Sequence, residues 1–95
     1  MNEEEIELLG ERIGKMLSEV YEERIRQLEK WGDQRHGSLK WIAIAAEELG
    51  EAAKAALEIN QSQYYKELIQ TAAVCIAAAE DMVRKNEEAA MEGYQ

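Results

Sequence analysis

No proline occurs anywhere in the 95 residues, and apolar side chains return every three or four positions through most of the chain. Proline is the residue that most effectively stops a helix, and this spacing is that of helices with an apolar stripe. Ala, Glu, Leu, Lys and Gln, all strong helix formers, dominate the composition. No strand alternation, internal repeat or low-complexity linker competes with this pattern. The chain is expected to be all-α.

The periodicity divides into three helices. The first is expected from about Glu3 to Lys30, with Ile6, Leu9, Ile13, Met16, Leu17, Val20, Ile25 and Leu28 at helical spacing. Gly10 and Gly14 weaken its early part and favour a bend or fraying there. Glu22, Glu23, Arg24 and Arg26 read as a charged stretch, either solvated or touching a neighbouring subunit. The pattern stops at Trp31-Gly32-Asp33-Gln34-Arg35-His36-Gly37, a loop by its two glycines. Ser38 is a good N-cap for a second helix from about Leu39 to Ile59. A short connection, 60–62, leads to a third helix from about Gln63 to Lys85. The tail, 86–95, either continues it or frays. The whole, 1–95, is of single-domain length.

Short connections between helices imply an antiparallel bundle. A domain this small leaves much of its surface in water. The third helix also carries Leu68, Ile69, Val74, Cys75, Ile76, Met82 and Val83 nearly all round, which calls for several covering neighbours. Alanines such as Ala45, Ala52, Ala73 and Ala77 permit close helix–helix approach. The expected architecture is therefore an antiparallel helical bundle completed by homo-oligomerisation, as a homodimer or homotetramer.

Charge narrows the partners. Twenty acidic residues against 11 basic ones give a formal charge of −9, which argues against a nucleic-acid polymer or an anionic membrane surface. A single nucleotide is compatible, because a metal can mediate between carboxylates and phosphates. Cys75 is the sole cysteine, so no intrachain disulfide forms, and it reads as packing on a buried helix. The first apolar cluster, Ile6, Leu8 and Leu9, sits among glutamates rather than behind a basic stretch, unlike a secretory signal. The longest apolar stretch, Thr71–Ala79, falls short of the roughly 20 residues of a membrane span. A cytoplasmic setting is expected.

The chemically informative segment is Glu47-Glu48-Leu49-Gly50-Glu51. At about 100° per residue, Trp41, Ile44, Ala45, Ala52, Ala55 and Ile59 define the apolar stripe of the second helix. Glu48 falls near the middle of that stripe, Glu51 at its edge and Glu47 further out. An unpaired buried carboxylate costs at least several kcal/mol, so something must compensate it. A hard divalent cation with a preference for oxygen ligands does so, and i, i+3 and i, i+4 spacing presents these acids together. Glu67 and Gln70 form a second i, i+3 pair, which an antiparallel third helix brings toward Glu48 and Glu51. Asp81 lies too far along the same helix, roughly 21 Å from Glu67, to share one ion. The plainer alternative is a solvated acidic face, with Lys54 as an ordinary ion-pair partner for Glu51 or Glu58.

These residues resemble the all-α MazG-like nucleotide pyrophosphohydrolases. Glu47-Glu48-x-x-Glu51 followed by Glu67-x-x-Gln70 is similar to that family's EExxE and ExxD metal motifs. Arg24-x-Arg26-Gln27, Lys30-Trp31-Gly32-x-Gln34-x-His36, Trp41, Glu47-Glu48-Leu49-Gly50-Glu51-Ala52 and Glu67-Leu68-Ile69-Gln70-x-Ala72-Ala73 look like a short, single-domain branch of the group. The EExxE element alone is a weak signal, and its pairing with Trp-Gly-x-Gln-x-His is more specific. The resemblance implies Mg²⁺-dependent hydrolysis of a nucleoside triphosphate to monophosphate and pyrophosphate, with Mn²⁺ as a substitute. It implies Glu47, Glu48, Glu51 and Glu67 as ligands, and attack of a metal-activated water on the α-phosphorus. Gln70 stands where the motif has aspartate, and brings a carbonyl oxygen but no charge.

Glu47 is a candidate for activating the water, a role that exchanges readily with Glu48. Trp31 stacks on a base, or plugs the end of the bundle. His36 binds phosphate or base, or is a structural loop histidine. Lys30, Arg35 and Lys54 are candidate phosphate contacts, or plain surface cations. Trp41 reads as core. A second class of function, a non-catalytic oligomerisation or nucleotide-sensing module on the same scaffold, is kept open by Gln70. A di-iron bundle wants Glu-x-x-His pairs, which the single loop histidine does not supply, and no P-loop motif is present.

Overall fold

The computed structural model describes residues 1–93, so the last two positions of the 86–95 tail lie outside the described residues. Three helices account for the architecture: α1 (Glu3–Trp31), α2 (Ser38–Leu57) and α3 (Gln61–Glu92). Among the described residues no strand is present, and no helix is long and apolar enough to cross a membrane.

Local chemistry sets the ends. The Asn2 side chain accepts from the Glu5 amide at 2.8 Å, and Glu3, Glu4 and Glu5 place negative charge at the positive end of α1. Gly10 and Gly14 do not interrupt α1, which is continuous through both. Its end is set by Gly32, at φ 73° and ψ −169°, a region essentially restricted to glycine. The cap of α2 differs from expectation: Ser38 is already helical, and Gly37 before it makes no side-chain capping bond. The far end of α2 is also earlier than the apolar pattern suggests. Ile59 N–H reaches Ala56 O (3.2 Å) and Asn60 N–H reaches Ala55 O (2.9 Å), closing a Schellman motif. This puts Ile59 at φ 55°, an unusual conformation for a β-branched residue, and leaves it exposed rather than in the stripe. Asn60 then caps α3 by accepting from the Gln63 amide, and α3 continues beyond Lys85 to Glu92.

α3 is the central element. It packs on both α1 and α2, whereas α1 and α2 make no comparable contact with each other. In the α2–α3 hairpin, Glu48 meets Gln70 near one end while Trp41 meets Asp81 near the other, so the two helices are antiparallel. α1 runs the same way as α3: Glu19 pairs with Tyr65, and further along both helices Arg24 approaches Glu80. Trp41, Val74 and Ala77 form the core cluster, with Ile44, Ala45 and Ala78 against it. Trp41 is thus core, as its position in the stripe implies.

One chain does not finish the packing. Among the described residues no large side chain is fully buried. Every residue from 1 to 18 is exposed, so the apolar stripe Ile6, Leu9, Ile13 and Leu17 meets nothing. On the outer face of the hairpin Leu39, Ile42 and Leu49 of α2 and Ile76, Met82 and Val83 of α3 are also open. Cys75, expected to be buried, is exposed here too, because α3 has neighbours on only two of its sides.

Candidate functional site

A cavity of about 580 Å³ opens where all three helices face one another, a size typical of small-molecule sites. α2 contributes Trp41, Ile44 and Glu48. α3 contributes Lys66, Gln70, Val74 and Ala77, and α1 with the start of the loop contributes Arg24, Arg26, Gln27, Lys30, Trp31 and Gln34.

The acid side is built as the helical spacing suggests. Glu48 projects from the buried side of α2 and is itself half-buried. Opposite it, Glu67 is only 8% exposed. Gln70 lies between them: with its amide nitrogen facing the acids it donates to Glu67 Oε2 (3.0 Å) and Glu48 Oε2 (3.2 Å). Glu67 Oε1 accepts from Gln63 Nε2 at 2.6 Å, and Thr71 Oγ1 donates to the Glu67 carbonyl at 2.7 Å, which fixes that turn of α3. Burial raises the Glu48 carboxyl above its ordinary range, helped by hydrogen bonding with Glu67 and by the charges of Glu67, Glu47 and Glu51. An acid pair held together by one amide is an arrangement with excess negative charge and oxygen ligands only.

The structure brings together Glu48, Glu67 and Gln70, and places Glu47 and Glu51 on exposed positions of α2. Among the described residues no three acidic, histidine or cysteine side chains already stand as a closed metal cage. Trp31 and Lys30 line the cavity, the ammonium 4.7 Å from the indole centroid. His36 and Lys54 do not line it. The His36 ring packs edge-on to Trp41 at 4.8 Å between centroids, the structural alternative for this residue. Lys54 is exposed, and among the described residues it joins neither Glu51 nor Glu58 in an ion pair.

Asp81 does work that its spacing did not reveal. At 3% exposure, it accepts from Trp41 Nε1 (2.7 Å), the His36 amide (2.9 Å), Arg35 Nε (2.6 Å) and Lys85 Nζ (3.1 Å). These donors, led by the indole and the His36 amide, hold its carboxyl far below the ordinary range. Asp81 therefore ties the loop after α1 to the hairpin, and Arg84 pairing with Asp33 at 2.7 Å adds a second tie. Arg35 is committed to Asp81 and Glu88 rather than to a ligand.

The basic side was legible in principle. Arg24, Gln27 and Trp31 project from the same face of α1 as Val20, the residue that α1 buries against α3. Arg24 stands in an apolar stripe just as Glu48 does. Its side chain is 14% exposed and approaches Glu80 at 3.7 Å, too long for a hydrogen bond, while its Nε is buried without a partner. A buried donor without an acceptor costs about 1–3 kcal/mol. In comparison with known proteins, no family model matches the chain, and no curated protein or solved structure matches it significantly.

Proposed function

We propose that the chain is a Mg²⁺-dependent nucleoside triphosphate pyrophosphohydrolase that yields a monophosphate and pyrophosphate. The observation that carries this reading is Glu48, raised in pKa beside buried Glu67 and Gln70, on the wall of a nucleotide-sized cavity whose other wall is cationic and aromatic. The resemblance of Glu47-Glu48-x-x-Glu51 and Glu67-x-x-Gln70 to the EExxE and ExxD motifs agrees with it.

The donor set fits a hard cation: Glu48 and Glu67 are oxygen ligands crowded by their own repulsion, which a cation relieves. Glu47, Glu48, Glu51, Glu67 and the carbonyl oxygen of Gln70 would hold it. Bound Mg²⁺ (or Mn²⁺) supplies neutralisation of charge on the phosphate oxygens. Glu48, or Glu47 one position before it, accepts the proton of the water that attacks the α-phosphorus, and pyrophosphate departs. Trp31 stacks on the base, Lys30 beside it meets negative charge, and Asp81 keeps the loop that follows them in place. A cytoplasmic setting, where nucleotides and Mg²⁺ are plentiful, accompanies this reading.

One observation favours a second reading. With its amide nitrogen turned toward the acids, Gln70 donates to both, which stabilises the pair without any ion and suits a nucleotide-sensing module without turnover. Incubation with a panel of nucleoside triphosphates and Mg²⁺ separates the two. Pyrophosphate release from at least one of them is the expected result, and nucleotide binding with no release would leave only the sensor.

We further propose that the bundle is completed by copies of the same chain, as a homodimer or homotetramer, through the open face of the α2–α3 hairpin. Leu39, Ile42, Leu49 and Met82 are 55–86% exposed there, and a face of this kind on an acidic chain is most readily covered by its own apolar equivalent. Light scattering should give a mass two or four times the 10.8 kDa of one chain. Ile42→Glu combined with Met82→Glu should shift the sample toward monomer. A wild-type monomer at tens of micromolar would remove this proposal.

A further inference from the structure

The chain carries a formal charge of −9, yet the cavity between its three helices is locally positive. Arg24, Arg26, Lys30 and Lys66 line it, against only Glu23 and Glu48 among the acids. Glu23 and Arg26 neutralise each other at 2.7 Å, which commits that arginine within the chain. Lys66, from α3, has no ion-pair partner among the described residues. Arg24 is the most telling of the remaining three. It is nearly buried, only loosely approached by Glu80, and its Nε has no acceptor. Buried guanidinium groups are normally paired, so an arginine left open at a cavity wall indicates that its acceptor comes from outside the chain. A planar fork of N–H donors matches the oxygens of a phosphate.

We propose that Arg24, Lys30 and Lys66 form a phosphoanion subsite that holds the di- or triphosphate end of a ligand directly, across the cavity from Glu48. This deepens the nucleotide reading and rests on it for the identity of the ligand's other end, but the subsite itself works without a metal. α1 supplies two of the cations and α3 the third, so the anion bridges the two helices. Glu48 on the opposite wall repels the same anion. The polyphosphate is thereby drawn to the α1 side, with its reacting phosphorus left toward the acids.

The test is calorimetric titration of the full chain with inorganic tripolyphosphate in excess EDTA. Saturable binding that weakens with added NaCl is the expected result. Arg24→Met, which keeps the buried stem, and Lys66→Met should each weaken it by about tenfold. Lys54→Met, outside the cavity, should leave it unchanged. Absence of binding at millimolar tripolyphosphate would overturn the subsite, as would binding indifferent to both cavity variants. Lys66 is exposed, so its variant remains informative if Arg24→Met fails to fold. Turnover is read separately. Tripolyphosphate binding without pyrophosphate release from any triphosphate keeps the subsite and ends the enzyme reading. Turnover without metal-free binding does the reverse.

Discussion

Glu48→Gln is expected to lower pyrophosphate release by at least about 100-fold while raising the thermal midpoint of the metal-free protein by a few degrees. The two effects have one cause. Glu48 is held above the ordinary carboxyl range by burial and by its acidic neighbours, so in the metal-free fold its ionised form is disfavoured. The cost is fully present above the folded pKa and disappears as pH falls through it toward the unfolded value. Metal-free wild type should therefore gain stability on acidification from neutral pH into the ordinary carboxylate range, and Glu48→Gln should lose that gain. Mg²⁺ should stabilise the wild type in a concentration-dependent way, by mass action on the folded state, and the variant much less. Thermal scans with EDTA and with Mg²⁺, alongside the release assay, check all of this. Full activity in Glu48→Gln would end the assignment of Glu48 to the reaction.

Asp81→Ala is expected to be the most damaging single change to the fold, with a thermal midpoint at least about 10 °C lower. It leaves the Trp41 indole, the His36 amide and the Arg35 guanidinium without their shared acceptor, and frees the loop that carries Gln34 to the cavity. Near-ultraviolet dichroism from Trp41 should weaken along with it. Trp41→Phe, which removes one donor and keeps most of the apolar bulk, should be milder. The pH dependence has the opposite sign to that of Glu48. The folded carboxyl of Asp81 lies far below its unfolded value, so its contribution is present above the ordinary range and is lost as pH falls below about 4. Metal-free stability should consequently pass through a maximum in the weakly acidic range. A midpoint in Asp81→Ala within two degrees of wild type (about the noise of a scan) would show that the loop is held by other means.

The helices were readable because their periodicity and composition agree over long stretches, and agreement across levels is what makes a segment predictable. Details that depend on a few backbone atoms were less so. The Schellman closure turns Ile59 out of an apolar stripe to which its spacing assigned it, and Gly37 takes the capping position that Ser38 was chemically better equipped to fill. Cys75 and the neighbouring apolar positions were read as buried because a helix apolar all round usually is, whereas a single chain supplies α3 with only two neighbours. Within the site, Glu48 was legible from its place among Trp41, Ile44 and Ala52. The same argument applied to Arg24 beside Val20 and Gln27 exposes the cationic wall. Asp81 was correctly separated from the acid cluster by distance, but its partners, Trp41 and the loop at 35–36, lie about 40 residues away in sequence, and helical spacing carries no information at that range.

The absence of comparable α1–α2 contact has a kinetic meaning. The α2–α3 hairpin closes between consecutive helices, whereas α1 joins it through more distant partners, Tyr65 for Glu19 and Glu80 for Arg24, and non-local closure is the slower event. The hairpin, with its acids, can thus assemble as one cooperative unit, and the arginine-bearing helix can undock from it without dismantling it. Any guest that spans both walls would clamp that helix down, coupling occupancy to the final folding step.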